Sequence, residues 1–292
     1  MAREPSILVI VPYFGPWPEW MPFFLLSCRH NPTVNWLVVS DRSALPATAP
    51  NVRLLQTPFP EYKAAFERCL GIDLPWDEPY KLCDLKPMLG LLHGDAVRGF
   101  DFWGYGDLDL VYGDIRRIYG EAVLRHDVVS SHDWLVAGHF SLFRNRPRWI
   151  NAFRHVRGWQ TAIRDPSYRS VDESGMAALL LPSGAWARRF RFLSSWRRNT
   201  YFVEQYTTAL PPNRWIDGSP DFPDTWYWRR GRLTADKAPG REFLYVHFSH
   251  WHSARWLRGA APPWRRERSI VHLPIEPMPD AFKMDSRGFH PL

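Results

Sequence analysis

The chain has 292 residues, of which 45% are hydrophobic, 23% charged and 15% aromatic. This composition excludes a disordered or low-complexity protein and allows one large domain or two small ones. A formal net charge of +7 favours acidic partners such as nucleotides, nucleic acid or anionic lipid, and the sixteen tryptophans indicate either a very aromatic core or side chains that stack on sugars or bases.

The apolar stretch 7–28 resembles a membrane anchor, but four prolines interrupt it, and each proline inside a helix costs about 3 kcal/mol. No other stretch has the roughly 20 apolar residues that a membrane-spanning helix needs. Cys28, Cys69 and Cys83 form no CxxC pair, which argues against a disulfide framework or a zinc ribbon and favours a reducing compartment. We therefore expect a cytoplasmic protein without a transmembrane segment, whose contact with a membrane would be peripheral, at its inner face.

The first half of the chain predicts alternating strands and helices. Residues 7–11 (ILVIV) are typical of a strand buried on both faces, a helix is expected over about 19–29, and a second buried strand over 36–40. Asp41 follows the carboxyl end of this second strand, where open α/β sheets bind their ligands. This order predicts an α/β fold with parallel strands.

The predicted elements become less regular further along the chain. Strands are predicted at 52–55, 100–105, 128–131, 140–143 and 243–248, and helices at 61–70, 84–97, 149–163 and 172–181. Beyond about Trp256 the chain is rich in arginine and proline, and we expect little regular structure there. Neither GxGxxG nor a phosphate-binding P-loop sequence occurs, so both of these nucleotide-binding motifs are excluded.

Two carboxylates follow the predicted strand 100–105. In an extended chain Asp107 and Asp109 would point to the same side, and two hard oxygen donors suit Mg²⁺ or Mn²⁺ together with the oxygens of a diphosphate. The pattern DxD also arises by chance, and its place at the end of a buried strand is what favours a functional site. For the flanking Asp101 and Asp114 we predict a turn residue and a helix N-cap.

A histidine late in the chain is a candidate third ligand. His247 lies in a predicted buried strand, and a neutral imidazole is a good ligand for Mn²⁺ beside two carboxylates. The alternative is a hydrogen-bonded core histidine. His250 and His252 follow closely and leave open a small metal site made by histidines alone.

Residues 80–87 (YKLCDLKP) place Lys81, Asp84 and Lys86 at helix-like spacing upstream of the acidic segment. Most cations of this chain are arginines, so a lysine here indicates a compact ammonium group for a phosphate or a sugar hydroxyl. A solvated helix face is the alternative.

Eight short motifs occur in one order over residues 6–256. They are PYFGPWPEW, PYKLCDLKP, DFWGYGDLDLVYGD, GHFSLFRN, VDESGM, WIDG, WYWRRGRL and REFLYVHFSHW. In this order they resemble a family of uncharacterised bacterial glycosyltransferases with the GT-A fold. The layout is also similar to that of the glycogenin-like and lipopolysaccharide galactosyltransferase families.

The resemblance implies an α/β, GT-A fold, with a Rossmann-like mixed sheet flanked by helices, in a single domain over residues 1–256. Residues 1–110 would form the nucleotide-binding half and residues 111–256 the acceptor-side half. Residues 257–292 would be an arginine- and proline-rich tail.

The resemblance also implies a nucleotide-sugar-dependent transferase, with Mn²⁺ or Mg²⁺ held on the donor diphosphate by Asp107, Asp109 and His247. Related sequences tend to carry a lysine after the HF pair. This chain has His250 and His252 there instead, which makes Arg255 a candidate cation for the diphosphate.

The donor, for which we favour a UDP-sugar, would contact residues from several parts of the chain. We expect a base pocket at 12–14, a nucleoside contact from Asp41 and a diphosphate cation at Lys86. The full predicted donor site is Pro12, Tyr13, Phe14, Asp41, Lys81, Asp84, Lys86, Asp107, Leu108, Gly138 and His139.

Asp172 and Glu173 open a predicted helix where similar enzymes place an acidic or amide pair beside the reactive carbon. One of them would act as general base on the acceptor hydroxyl or stabilise an oxocarbenium-like centre, and Lys86 joins them as a predicted catalytic residue. Ordinary acids at a helix start are the alternative.

The acceptor is expected to bind at Asp217, Trp226 and Trp228, because flat apolar faces with polar rims suit sugar rings. Core packing is the alternative for each tryptophan.

These patterns predict a metal-dependent hexosyltransferase that moves a sugar from a nucleotide-diphosphate donor to a hydroxyl, in surface polysaccharide or lipopolysaccharide synthesis. The basic surface leaves open a transferase that acts on modified bases of DNA. A non-catalytic nucleotide- or carbohydrate-binding protein and a metal-dependent phosphohydrolase are further alternatives.

Overall fold

The computed structural model describes residues 3–181, 194–209, 212–248, 270–285 and 287–292. Its largest sheet has seven strands in the order β3-β2-β1-β4-β7-β6-β8. The strands are β1 (Ile7–Pro12), β2 (Val34–Ser40), β3 (Val52–Gln56), β4 (Phe102–Gly106), β6 (Val128–Ser130), β7 (Phe140–Arg144) and β8 (Thr200–Phe202). Only β7 runs against its neighbours, so the sheet is mixed and six of its strands point the same way.

Helices cover this sheet. The α-helices are α1 (Met21–Arg29), α2 (Phe59–Leu70), α3 (Leu89–Leu92), α4 (Gly94–Val97), α5 (Ile115–Ile118), α6 (Pro147–Ile150), α7 (Trp159–Arg164) and α8 (Met176–Leu180). Tighter 3₁₀ turns occupy Pro79–Met88, Val123–Arg125 and Ala152–His155, and one π-helical turn occupies Val171–Gly175. The predicted fold class, α/β with a Rossmann-like mixed sheet flanked by helices, is confirmed.

The strand β1 explains why the sheet is buried on both faces. Leu8 and Ile10 pack into one apolar cluster, whereas Val9 and Val11 pack into another on the opposite face. Because successive side chains of a strand point to opposite faces, an unbroken run of aliphatic residues is what a doubly covered strand requires.

A second sheet has the order β10-β9-β12-β13. Its strands are β9 (Trp226–Arg229), β10 (Arg232–Ala235), β12 (Ala281–Asp285) and β13 (Gly288–Pro291). The expectation of little regular structure beyond Trp256 is therefore wrong for residues 281–291. Phe282, Met284 and Phe289 alternate with polar residues and bury their side chains against α1, through Phe23.

A pair of short strands joins the two sheets. β5 (Leu110–Tyr112) pairs in antiparallel register with β11 (Tyr245–His247), so His247 lies opposite Leu110. The Trp228 indole donates a hydrogen bond to the carbonyl of Tyr112 (3.0 Å), which ties the second sheet to the same strand.

The predicted boundaries of the helices are less accurate than those of the strands. The helix expected at 149–163 is divided into α6, a 3₁₀ turn and α7, with Gly158 at φ +72° before α7. The helix expected at 84–97 begins as the 3₁₀ segment Pro79–Met88, because Pro87 lacks the N–H that an α-helix interior needs. No helix in the described ranges is both long and apolar enough to cross a membrane.

Candidate active site

A cavity of about 640 Å³ opens along one edge of the seven-stranded sheet. The strands β1, β4 and β6 all end at this edge, because they run in the same direction. The lining residues are Val11, Pro12, Tyr13, Phe14, Pro18, Trp20, Glu78, Pro79, Tyr80, Leu82, Cys83, Lys86, Asp107, Leu108, Asp109, His132, Trp134, Leu135, Gly138, His139, Tyr168, Asp172, Glu173, Thr208, Asn213 and His247.

The two predicted metal-binding aspartates lie on a bend between β4 and β5, not on an extended strand. Leu108 between them is buried in the core. Both carboxylates line the cavity, but each has its own partner: Asp107 contacts Lys86, and Asp109 contacts His247.

Lys86 reaches the bend from the 3₁₀ segment Pro79–Met88. Its Nζ donates to Oδ1 of Asp107 (2.6 Å) and to the carbonyl of Gly138 (2.9 Å). Burial acts to lower the pKa of Lys86, but the neighbouring Asp107 and Asp172 outweigh it and hold that pKa well above its usual range. For Asp107, burial raises the pKa although Lys86 opposes the shift. The cavity therefore holds the ammonium group of Lys86 beside the acidic bend.

His247 reaches Asp109 through strand pairing, although the two residues are 138 positions apart in the sequence. The pairing of β11 with β5 sets Nε2 of His247 at 3.1 Å from Oδ2 of Asp109. The backbone N–H of Phe248 also donates to the carbonyl of Asp109 (3.2 Å). The structure thus brings the three predicted ligands to one cavity.

The donor types suit a divalent cation, since two carboxylates and an imidazole are ligands that Mn²⁺ accepts. However, in the described part of the chain no three His, Cys, Asp or Glu side chains are gathered in an arrangement that could hold a metal ion. Asp107 is oriented towards Lys86 instead. The three side chains are neighbours in the cavity without forming a preassembled metal site.

A network of buried polar side chains packs against His247. The His139 and His247 rings lie 4.1 Å apart, and Nε2 of His139 is within hydrogen-bond distance of the Tyr245 hydroxyl (2.7 Å) and of Oγ1 of Thr208 (3.2 Å). His132 adjoins this group and pairs with Glu204 (2.9 Å). Of these residues the sequence analysis singled out only His139 and His247.

The carboxylates of Asp172 and Glu173 lie together in the same cavity, in the π-helical turn Val171–Gly175. The Tyr168 hydroxyl contacts Oδ1 of Asp172 (2.9 Å) and Oε2 of Glu173 (3.1 Å). Burial raises the pKa of Asp172 well above its usual range, against the opposing effect of Lys86. The structure therefore places the predicted catalytic pair in the same cavity as the acidic bend.

Gly138 allows this close approach. A Cβ atom at this position would lie 2.7 Å from Oδ2 of Asp172 and 2.9 Å from Oε1 of Glu173, so a larger residue would displace both carboxylates. Its carbonyl also accepts the hydrogen bond of Lys86. Gly138 is thus the backbone link between the cationic and acidic parts of the cavity.

Lys81 and Asp84, predicted to bind the donor, do not line the cavity. They form a fully buried ion pair (2.6 Å) whose remaining hydrogen bonds go to backbone groups of residues 162–171. Every polar atom of the pair is engaged in holding the Pro79–Met88 segment against that region. We correct their assignment to a structural one.

The predicted acceptor platform is also wrong. Trp226 and Trp228 are 1% and 0% exposed, inside the core of the second sheet. Asp217 is exposed in a turn where it accepts from Ser219, and it does not line the cavity. Asp41, predicted to contact the nucleoside, lies beside the cavity and does not line it. Its Oδ1 accepts a hydrogen bond from the backbone N–H of Gly15 (3.1 Å).

Several lining residues were not predicted to belong to the site. They are Tyr80, Cys83, His132, Trp134, Tyr168, Thr208 and Asn213. Burial raises the pKa of Cys83 to about 12, so its thiol stays protonated. The signal that could have found Trp134 is its place in the loop that follows β6 at the carboxyl edge of the sheet. His250, His252 and Arg255 lie outside the described residues.

Comparison with solved structures finds partial overlaps of fold. A structure of the galactosyltransferase LgtC in complex with donor and acceptor sugar analogs shares 11% identity, over 70% of this chain and 76% of that chain, with a TM-score of 0.39. An active-site mutant of LgtC gives 0.40 at the same identity, over 70% of this chain and 75% of that chain. The glycosyltransferase GlyE of Streptococcus pneumoniae TIGR4 gives 0.32 at 11% identity, over 69% and 46%. Scores of this size do not establish a shared activity.

A search of the curated proteins finds no match. A family model described as a family of unknown function (DUF6625) matches residues 9–262. The match covers most of the chain, including the acidic bend, Lys86, the carboxylate pair and His247. The chain is a member of this family of unknown function.

Proposed function

We propose that the protein is a glycosyltransferase of the hexosyltransferase class, which moves a sugar from a nucleotide-diphosphate donor to a hydroxyl acceptor. The observation that carries the proposal is the content of one cavity at the carboxyl edge of the sheet. There a buried lysine, an acidic bend with a histidine, and a separate carboxylate pair face the same space. Glycosyl transfer needs both a cationic group at the leaving diphosphate and a carboxylate near the reacting carbon.

In this reaction the bond between the sugar's anomeric carbon and a diphosphate oxygen breaks, and the acceptor oxygen forms a new bond to that carbon. Negative charge grows on the departing diphosphate. The ammonium group of Lys86 is held in place by Asp107 and Gly138, so it can stabilise that charge without reorganising. We assign this role to Lys86.

The acceptor hydroxyl must lose its proton as it attacks. Glu173 is partly exposed to the cavity, whereas Asp172 is 1% exposed beneath it. The Tyr168 hydroxyl contacts both carboxylates and fixes their positions. We therefore assign Glu173 as the base that takes the proton and Asp172 as the group beside the reacting carbon.

The nucleoside would lie at the ends of β1 and β2. Tyr13 stacks on Trp17 (ring centroids 5.7 Å apart) and offers an aromatic wall there, with Asp41 nearby. Pro12 and Phe14 line the same part of the cavity. We favour UDP as the nucleotide of the donor.

We further propose that the reaction depends on Mn²⁺ or Mg²⁺, with Asp107, Asp109 and His247 as the residues that would hold the ion. A divalent ion would supply additional positive charge for the diphosphate. Asp107 faces Lys86 in this structure, so the proposed metal dependence rests only on the chemical types of these three side chains. The steps above use only side chains of this chain.

The acceptor and pathway follow from the resemblance and the lining charge. Five carboxylates and a single lysine occur among the described lining residues, which opposes a polyanion such as DNA. A neutral glycan fits this wall better, and synthesis of a surface polysaccharide or lipopolysaccharide is the proposed setting.

Thermal unfolding with nucleoside diphosphates and nucleotide sugars tests the proposal. Each ligand is added with Mn²⁺, with Mg²⁺ and with a chelator. A ligand at a hundred times its Kd stabilises the folded state by about 2.7 kcal/mol. We expect a metal-dependent stabilisation by UDP that is lost in Asp109→Ala and kept in Asp95→Ala, an exposed aspartate that does not line the cavity.

Product analysis separates the alternatives. A transferase forms a glycoside only when an acceptor is present, whereas a phosphohydrolase releases the nucleotide at the same rate without one. Binding of UDP with no turnover in any acceptor mixture would indicate a binding protein. Absence of any nucleotide-dependent stabilisation would overturn the proposed function.

A further inference from the structure

Two exposed aromatic side chains border the cavity. Large apolar side chains are rarely so exposed among the described residues, and the only aromatic ones are Tyr80 (65% exposed) and Trp134 (40% exposed). Both line the cavity, whereas Leu55, Val203, Ile216, Ile275 and Leu292 do not. Covering an exposed indole with the apolar surface of a ligand is favourable, because it removes apolar area from water.

The indole of Trp134 is held rigidly. Its Nε1 donates to Oδ1 of Asn213 (2.7 Å), and Nδ2 of Asn213 donates in turn to the carbonyl of Thr208 (2.9 Å). Asn213 is itself buried. Because the N–H of the indole is already used, the ring offers its face to a ligand, and little side-chain entropy is lost on binding.

The position of Trp134 in the sheet identifies which ligand it faces. Trp134 follows β6, which is separated from β1 by β4 and β7. Three strand spacings correspond to about 14 Å. The nucleoside pocket at the end of β1 and the indole at the end of β6 therefore lie on opposite sides of Asp107 and Asp109, which follow β4.

A donor that places its nucleoside at β1 and its diphosphate at the bend directs the reacting sugar towards β6. The next molecule beyond that sugar is the acceptor. The polar side chains near Trp134 are those of Asn213 and of His132, whose ring centroid lies 6.3 Å from that of Trp134, and Thr208 lies next to Asn213 in the same cavity. Such a ring of hydrogen-bonding groups around one aromatic face suits a neutral pyranose, which has an apolar C–H face and a rim of hydroxyls.

We propose that Trp134 is the platform on which a neutral acceptor sugar stacks. This inference rests on the proposed function, because it takes the nucleoside end of the cavity as its reference. Trp134 takes the place of Trp226 and Trp228 as the candidate acceptor platform, because those two side chains are buried in the core.

Saturation-transfer NMR tests the stacking. The probes are the methyl β-glycosides of glucose and galactose and the methyl α-glycoside of mannose, each with UDP present. We expect protein-to-sugar transfer at the ring C–H protons of at least one glycoside. In Trp134→Ala its apparent Kd should weaken about tenfold, as expected when a stacking contact is lost, whereas Trp134→Phe should bind within a few-fold of the wild type.

Ile216→Ala is the matched control, because Ile216 is similarly exposed (39%) but does not line the cavity. Stabilisation by UDP, measured separately, should be equal in all four proteins. Unchanged glycoside binding in Trp134→Ala would overturn the platform, and so would a wild type that binds UDP but none of the glycosides. The protein could bind a glycoside but not UDP, and lose glycoside binding in Trp134→Ala. This result would support the platform and refute the proposed function.

Discussion

Lys81 and Lys86 lie on the same 3₁₀ segment, and each forms a 2.6 Å ion pair with an aspartate. Their surroundings differ. Lys81 donates to Asp84 and to two backbone carbonyls, so its three N–H groups are all used. Lys86 donates to Asp107 and to one carbonyl, and its partner carboxylate is 33% exposed at the cavity.

The comparison shows how a structural ion pair differs from one available to a ligand. Asp84 also accepts the backbone N–H groups of Arg169 and Val171, so water and ligands are excluded from the pair. Asp107 retains solvent contact and lines the cavity of about 640 Å³. Both pairs join a lysine to an aspartate at 2.6 Å, and they differ in the burial of the aspartate and in the completeness of its hydrogen bonding.

The largest effect on stability is expected when the fully buried Lys81–Asp84 ion pair is broken. Asp84→Ala would leave the buried ammonium group of Lys81 and two backbone N–H groups without their acceptor, and breaking a buried pair in this way costs about 3–5 kcal/mol. Denaturant unfolding should show this loss of stability. The double variant Lys81→Met with Asp84→Leu should recover part of it, because no unpaired charge remains. A loss in Asp84→Ala no greater than that of an exposed aspartate would contradict a structural role.

Lys86→Met should affect transfer more than stability. Asp107 can turn to solvent when the lysine is removed, so its charge is not stranded. Loss of one electrostatic contact to the leaving group lowers kcat by roughly 100- to 1,000-fold. Steady-state rates and unfolding of the same preparation measure both effects, with Lys86→Arg as the variant that retains the charge. A variant that unfolds more easily but transfers normally would place Lys86 with Lys81 as a structural residue.

His93 is a third buried basic residue, and it extends the comparison with Lys81 and Lys86 because its partner is neutral. Its ring nitrogen Nε2 lies 2.8 Å from the Tyr62 hydroxyl. Burial lowers the pKa of His93 from 6.5 to about 4. The unfolded chain then binds a proton at a higher pH than the folded one does, so stability is full above pH 6.5 and declines as the pH falls towards 4. The loss amounts to about 3 kcal/mol. Unfolding measured from pH 7 to pH 4 should show this slope, and His93→Gln should flatten it. An equal slope in both proteins would assign the acid sensitivity to other groups.

Local sequence patterns predicted the first strands of the sheet well. The aliphatic runs that form β1 and β2 have no competing structure, because they can be buried only in a doubly covered strand. The place of Asp107 and Asp109 could be predicted as well, since they follow a strand that ends at the ligand-binding edge, but the sequence analysis expected an extended chain there instead of a bend. The helix boundaries were less predictable, because prolines and the positive φ of Gly158 divide segments whose apolar spacing is helical.

The acceptor side shows why the remainder could not be predicted. Trp226 and Trp228 were predicted to stack on the acceptor because flat apolar faces with polar rims suit sugar rings. Strand β12, which lies far along the chain, pairs with that strand, and β13 pairs with β12. Both rings are buried in the core of this sheet. Trp134 has no aromatic pattern around it, and its exposure depends on the way the loop after β6 meets Asn213.

By itself the sequence determined the fold class and the chemical types that the cavity holds, because both depend on local features: strand runs, the DxD bend and the lysines before it. Tertiary structure alone decided which charged groups face a ligand. His247 reaches Asp109 only through the pairing of β11 with β5, and Lys81 is closed off only by residues 162–171. Partners so distant along the chain leave no local periodicity, so burial and hydrogen-bond completeness become visible only once the chain is folded.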